Sequence, residues 1–151
     1  MKRHKELRTP AGDAFNRLTL ETFHFYGMLI AAGDEVVREF GLTSSLWQVL
    51  GAGVASDTGP LTVAQIARNM GLTRQSVQRS AKILERKGLI TFEENPDHKR
   101  ARLVKPTPKG LEVLDAIMIA HAEWVNRIAR EEDAQAIDDV VRLMRRLAAR
   151  L

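Results

Sequence analysis

The fold is decided by residues 61–110, which read LTVAQIARNMGLTRQSVQRSAKILERKGLITFEENPDHKRARLVKPTPKG. Within this stretch, Thr62 and Gln65 have the spacing of a capping box, which predicts that a short helix begins there. Gly71 is placed to end that helix, and Thr73 is placed to cap a second helix after a one-residue step. The stretch therefore predicts two short helices joined by a tight turn, as in a helix-turn-helix.

A β-hairpin is predicted to follow the second helix. Ile90 and Phe92 alternate with polar residues, residues 94–97 form a turn signal, and residues 101–104 alternate back. Pro108, preceded by a threonine, then has the sequence of a helix start. The whole order predicts a mainly α (α+β) fold with a winged helix-turn-helix at its centre.

Positive charge is concentrated in the same stretch. Residues 61–110 hold eleven Lys and Arg against four Asp and Glu, a balance of +7, whereas the whole chain is only +4. Such a concentrated basic surface indicates a nucleic-acid partner. We predict that double-stranded DNA is contacted by the second helix and the hairpin, through Thr73, Arg74, Gln75, Ser76, Gln78, Arg79, Lys82, Lys99, Arg100 and Arg102.

These residue types suit the chemistry of the two DNA grooves. Arginine can pair bidentately with guanine and glutamine with adenine in the major groove, where the second helix is expected to lie. The hydroxyls of Thr73, Ser76 and Ser80 are suited to phosphates. An arginine near the hairpin tip can enter the minor groove, whose negative potential favours it.

The flanking segments are apolar and helical. Apolar residues recur at helical spacing in residues 13–42 on more than one face, which indicates burial on two sides and hence a partner helix. The last helix carries a heptad-like seam that also favours a helical partner. We divide the chain into a flexible basic tail (1–12), an N-terminal dimerisation helix (13–42), a DNA-binding lobe (43–106) and C-terminal dimerisation helices (107–151). Either Thr43 or Ser45 caps the first helix of the lobe.

Several classes of function find no support in the sequence. The chain has no cysteine, no stretch of 18 apolar residues and no recognisable catalytic or nucleotide-binding motif. Its four histidines do not have metal-ligand spacing, so we expect neither a metal nor a cofactor. The expected protein is not an enzyme, does not bind membranes and resides in the cytoplasm.

A group of aromatic residues has two interpretations. Phe23, His24 and Tyr26 lie on the first helix and Trp47 on the second. They either pack in a dimer interface or line a pocket for a small aromatic or anionic effector between the dimer base and the DNA-binding lobe. His121 shares the apolar stripe of its helix, which favours a packed histidine over a metal ligand.

The motifs resemble the MarR family. The similar segments are LTRQSVQR (72–79), LERKGLI (84–90), NPDHKRARLV (95–104) and TPKG (107–110). The resemblance implies a dimeric winged helix-turn-helix regulator in which Arg79 contacts DNA and Arg100 is the wing arginine. The wing tip differs from the common family pattern, because His98 stands where an aspartate is usual.

We therefore expect a homodimeric transcriptional regulator of the repressor type that binds a pseudo-palindromic operator and is released by a small ligand. The sequence leaves open whether it represses or activates. Two rival interpretations are a winged-helix module that binds an acidic protein without sequence-specific DNA binding, and a small enzyme with an unrecognised site.

Overall fold

The computed structural model describes residues 7–54, 59–98 and 100–151. In these residues the elements follow the order helix, helix, strand, two helices, two strands and two helices. They are α1 (Pro10–Val37), a 3-10 turn (Arg38–Phe40), α2 (Ser44–Ala52), β1 (Leu61–Thr62), α3 (Val63–Asn69), α4 (Arg74–Arg86), β2 (Ile90–Glu93), β3 (Leu103–Pro106), α5 (Pro108–Ile128) and α6 (Ala134–Ala148). The predicted helix-turn-helix is α3 and α4, and the predicted hairpin is β2 and β3.

The hydrophobic core lies between α2, α3, α4 and the small sheet. Val77, Ala81 and Leu84 of α4 are buried at spacings of four and three residues, the interval of one helix face. Val37 at the end of α1 and Ile117 of α5 are also fully buried in this core. The lobe of residues 43–106 therefore packs directly against both long helices, α1 and α5.

The turn between α3 and α4 is a glycine-dependent one. Gly71 has a φ of +64°, in the left-handed region that only glycine adopts without strain. The Leu72 N–H donates to the Ala67 carbonyl at 2.8 Å, which closes the end of α3. Thr73 then caps α4 by accepting from the Ser76 N–H at 3.1 Å, so the turn is as tight as predicted.

The sheet has three strands, not the two that the sequence predicts. β1 pairs with β3 through Leu61 opposite Val104 and Thr62 opposite Leu103, which gives the order β1-β3-β2. A strand of two residues is too short to carry an alternating pattern, so no local sequence pattern predicts it. The returning strand also lies at Leu103–Pro106, two residues later than the predicted 101–104.

The long first helix begins at Pro10, inside the segment predicted as tail, and not at Asp13. Thr9 caps it by accepting from the Gly12 N–H at 3.0 Å, and Pro10 takes the first helical position. The same Thr-Pro signal was used to predict the start of α5, where Thr107 caps the helix as expected. Residues 1–6 of the predicted tail lie outside the described residues.

Other helix ends agree with one of the predicted alternatives. Thr43, and not Ser45, caps α2 through its side chain. The first helix ends at Val37 and continues only as a 3-10 turn to Phe40, before the predicted end at residue 42. Helices α5 and α6 are separate, because Asp133 caps α6 by accepting from the Gln135 and Ala136 N–H groups.

Candidate nucleic-acid interface

Helix α4 has one buried face and one polar exposed face. The exposed residues are Arg74, Gln75, Ser76, Arg79, Lys82, Glu85 and Arg86, and Gln78 is half-buried between the two faces. This arrangement follows from the sequence, because the buried residues recur every three or four positions and leave the polar ones outside. The polar face is therefore exposed, and the opposite face of α4 packs against the hydrophobic core.

The N-terminus of α4 is suited to an anion. Thr73 is exposed and uses a lone pair of its hydroxyl oxygen to cap the helix, so its hydroxyl hydrogen remains able to donate to a phosphate. Ser76 is exposed one turn later, and the helix dipole adds partial positive charge at this end. Ser80, however, is only 8% exposed, so its burial does not support the phosphate contact predicted from its hydroxyl.

The exposed face of α4 and the hairpin form the two walls of a cleft of about 610 Å³. Its lining contains four of the predicted α4 residues, both described hairpin arginines and one acid. These are Arg74, Gln75, Gln78, Lys82, Arg100, Arg102 and Glu85. The structure thus brings six of the predicted DNA contacts into one basic cleft.

The other predicted contacts lie elsewhere. Arg79 is exposed on α4 but does not line the cleft, and Thr73 and Ser76 lie at the N-terminal end of the helix. Lys99 lies outside the described residues. Thr62 and Phe92 are among the lining residues that no sequence signal for DNA contact marks, because they carry a helix cap and a strand pattern instead.

The hairpin holds one of its arginines against its own backbone. The guanidinium of Arg102 lies 5.5 Å from the centre of the Phe92 ring and donates a hydrogen bond to the Phe92 carbonyl oxygen. Nearby, Lys105 and Glu93 form an ion pair of 3.0 Å across the two strands. Arg102 is therefore oriented along the hairpin, whereas Arg100 is exposed at its tip.

The hairpin tip is closed by side chains that accept backbone hydrogen bonds. The Asn95 side-chain oxygen accepts from the Asp97 N–H at 3.0 Å, and Nδ1 of His98 accepts from the Arg100 N–H at 3.3 Å. A short acceptor that reaches the N–H two residues ahead is what aspartate supplies in turns. His98 therefore closes the turn with its own side chain. Among the described ion pairs, none joins Asp97 to Arg100.

The four aromatic residues predicted to bind a ligand occupy two places. Phe23, His24 and Tyr26 are exposed on α1, and Phe23 lines an apolar groove of about 370 Å³ between α1 and α6. Trp47 does not line that groove. Its ring packs against His121 at a centroid distance of 4.9 Å, and His121 lies 5.5 Å from Trp124. The prediction that His121 is a packed histidine is confirmed.

A second exposed surface is apolar. Leu20, Phe23 and Met28 of α1 are between 57% and 70% exposed, and α6 buries none of its residues despite a strongly one-sided apolar face. Helices with such faces are stable when another helix covers them. None of the helices in the described ranges is long and apolar enough to cross a membrane.

Comparison with known proteins agrees with this architecture. The sequence model of the MarR family matches residues 40–101, which contain α2, the helix-turn-helix and the first strand of the hairpin. The chain is 37% identical over 139 residues to the uncharacterized protein Rv2011c of Mycobacterium tuberculosis, a match that covers 92% of this chain and 95% of that protein. The chain belongs to the MarR family. Members of this family are DNA-binding transcriptional regulators and not enzymes.

A second relative is named as a transcriptional regulator. The uncharacterized HTH-type transcriptional regulator YwoH of Bacillus subtilis is 30% identical over 132 residues, which cover 85% of this chain and 94% of YwoH. Two solved structures share the MarR fold at 18% identity. The regulator BldR of Sulfolobus solfataricus has a TM-score of 0.82 and covers 95% of this chain and 100% of its own. The complex of S. aureus MepR with DNA has a TM-score of 0.76, and the match covers 88% of this chain and 97% of the MepR chain.

Proposed function

We propose that this MarR-family regulator binds a pseudo-palindromic DNA operator as a homodimer, with α4 in the major groove and the hairpin tip in the adjacent minor groove. The observation that carries the proposal is the cleft in which Arg74, Gln78 and Lys82 of α4 face Arg100 of the hairpin. A surface with base-reading side chains on one wall and a basic hairpin on the other suits a DNA duplex.

The side chains divide into two roles. Arg74, Gln75 and Gln78 lie near the start and middle of α4, the part of a recognition helix that reaches base edges, so they read sequence. Arg79 joins them from the exposed face. Thr73, Ser76 and Lys82, together with Lys99 from the hairpin, neutralise or hydrogen-bond phosphates.

The two hairpin arginines are proposed to differ. Arg100 is exposed at the tip and enters the minor groove, where narrow A·T-rich sequence concentrates negative potential. Arg102 is already paired with Phe92, so it orients the hairpin and adds charge from its side. This division assigns base-sequence preference at the operator ends to Arg100.

The dimer is proposed to form through α1 and α6. Both helices expose large apolar side chains that a second copy of the chain would cover, among them Phe23 and Met144 in the groove between them. Two-fold symmetry of such a dimer predicts two half-sites about one helical turn apart, about 34–36 Å.

A small aromatic or anionic effector is proposed to act on this dimer. Phe23, His24 and Tyr26 expose aromatic surface on α1, and Trp47 lies at the contact of α2 with α5. A ligand that favours a dimer with misplaced recognition helices lowers operator affinity by a population shift. Benzoate tests this: it should weaken the operator complex of the wild type and have less effect on Tyr26→Ala, because Tyr26 is exposed on α1 but does not line the groove assigned to the dimer.

The test of the proposed function begins with selection of binding sites from random duplexes. We expect an inverted repeat to be enriched, and its affinity to fall steeply with salt, with a logarithmic slope of about −0.9 for each neutralised phosphate. Arg79→Ala and Arg100→Ala should each weaken operator binding by at least about tenfold. Arg38→Ala is the matched control, because Arg38 is exposed and paired with Glu35 outside the cleft.

Two outcomes would overturn the proposal. Enrichment of no motif, with binding to an acidic protein partner through the same cleft, would favour a protein-interaction module. Affinity that does not depend on salt, or Arg79→Ala and Arg100→Ala variants that bind as tightly as Arg38→Ala, would remove the assigned contacts.

A further inference from the structure

Helices α1 and α2 are joined by two hydrogen bonds at one buried serine. Ser44, the first residue of α2, is 2% exposed. Its backbone N–H donates to Oδ1 of Asp34 at 2.6 Å, and its hydroxyl donates to the Ile30 carbonyl oxygen at 2.9 Å. Both acceptors belong to α1, so a single residue of α2 is tied to two successive turns of the long helix.

The neighbouring residues are those that such a contact requires. Thr43 caps α2 through the Leu46 N–H, so the Ser44 N–H has no partner within its own helix and needs an external acceptor. The Asp34 carboxylate supplies it, and a negative charge is favourable at a helix N-terminus. A Cβ on Gly33 would lie 2.6 Å from Oγ of Ser44, so the close approach depends on glycine.

This contact leads directly to the recognition helix. Leu46, Val49 and Leu50 of α2 belong to the same buried core as Val77 and Ala81 of α4. Because that core is close-packed, α2 and α4 move as one body. The orientation of α4 relative to α1 is therefore set where α2 meets α1.

We propose that Gly33, Asp34 and Ser44 form a joint that sets the distance between the two recognition helices, and hence the half-site spacing that the dimer accepts. Asp34 is its positioning residue. This inference rests on the proposed function, because it requires a dimer whose axis passes through α1. No residue of the joint contacts DNA in this proposal.

Apolar contacts with α5 also attach the lobe to the long helices. Leu114 and Ile117 of α5 also pack against the core of the lobe, through apolar contacts that have no directional preference. Hydrogen bonds lose strength steeply when their angle changes. The joint therefore supplies directional resistance to rotation of the lobe about α1, whereas the apolar contacts of Val37 and of α5 keep the lobe attached when the joint is broken.

The experiment measures the affinity of the full-length dimer for operators of different spacing. The operator selected by the wild type is lengthened or shortened at its centre by one and two base pairs, and a single half-site duplex is included. For Asp34→Ala we expect the preference for the best spacing over its neighbour to fall by about tenfold, the equivalent of one lost hydrogen bond to a charged group. Affinity for the single half-site should stay within about twofold.

Matched variants separate the joint from general stability. Glu35→Ala removes the adjacent carboxylate, which is exposed and paired only with Arg38 on the surface, and should keep the wild-type spacing profile. Asp34→Asn keeps an acceptor oxygen and should retain most of the preference. Ser44→Ala removes only the hydroxyl bond to Ile30 and should relax the profile even if Asp34→Ala fails to fold.

The outcomes distinguish this inference from the proposed function. If the wild type selects an inverted repeat but Asp34→Ala and Ser44→Ala keep its spacing profile, the joint is refuted and the operator-binding function stands. A wild type that selects no repeat would instead refute the proposed function. A relaxed profile with unchanged half-site affinity and an unchanged dimer in sedimentation supports the joint.

Discussion

Replacing Gly110 by alanine should loosen the attachment of α5 to the end of α4 and the start of the hairpin. Gly110 is buried, and a Cβ at this position would overlap the Leu89 carbonyl oxygen and lie 3.0 Å from its carbonyl carbon. The obstacle is backbone, so no side-chain rotation can relieve it. Thr107 is hydrogen-bonded to the same segment. Its N–H donates to the Leu89 carbonyl oxygen at 3.0 Å, and its hydroxyl donates to the Gly88 carbonyl oxygen at 2.7 Å.

The magnitude follows from these contacts. The Leu89 carbonyl has to recede by about 1 Å or more to reach ordinary contact distance, which breaks the two hydrogen bonds of Thr107. Each contributes about 1 kcal/mol net, and overpacking at a buried site adds about 1–3 kcal/mol. Alanine is a better helix former than glycine by about 1 kcal/mol, which offsets part of the loss. We expect the free energy of unfolding to fall by about 2–4 kcal/mol.

Urea unfolding followed by circular dichroism measures this change, at several protein concentrations because dimerisation contributes to stability. The melting temperature should fall by about 5–15 °C. Gly27→Ala is the matched control, since no atom lies within 4 Å of a Cβ there, and it should be neutral or stabilising by up to about 1 kcal/mol. A Gly110→Ala protein as stable as the wild type would refute the steric argument.

Three further predictions concern the two surfaces. Arg102→Met keeps an apolar side chain against Phe92 but loses the hydrogen bond to its carbonyl, so operator affinity measured by anisotropy should fall about tenfold while the free energy of unfolding changes by less than about 1 kcal/mol. Met144→Glu places a charge in the apolar groove beside Phe23, and sedimentation velocity should detect a monomer; a dimer of wild-type affinity would contradict the proposed interface. Ser80→Ala should leave operator affinity within about twofold of the wild type, because Ser80 is buried behind the DNA-facing side of α4; a larger loss would restore its predicted phosphate contact.

Most helix boundaries could be predicted because capping is local. The capping box of Thr62 and Gln65 is present as expected, with the Thr62 N–H donating to the Gln65 side-chain oxygen at 2.8 Å. The cap and its partner are three residues apart, so the sequence contains the complete interaction. The start of α1 has an equally local signal, the cap Thr9 followed by Pro10, although the prediction places this segment in the tail.

The basic face of α4 was also predictable, since helical periodicity separates Val77 and Leu84 from Arg74 and Gln75 without reference to the rest of the chain. Helical periodicity also places Ser80 on the buried face, because it lies three residues after Val77 and four before Leu84. The predicted phosphate contact rests on its hydroxyl group and not on its position in this pattern.

The sequence by itself determined the order of the helices, most of their caps and the charge of the exposed face of α4, because each depends on residues within about one helical turn of each other. Only the tertiary structure decided the pairing of β1 with β3, the close approach of Gly110 to Leu89 and the bonds of Ser44 to α1. These contacts join residues 10 to 43 positions apart. They form only when packing brings two elements together, and no local sequence pattern predicts which elements will pack against each other.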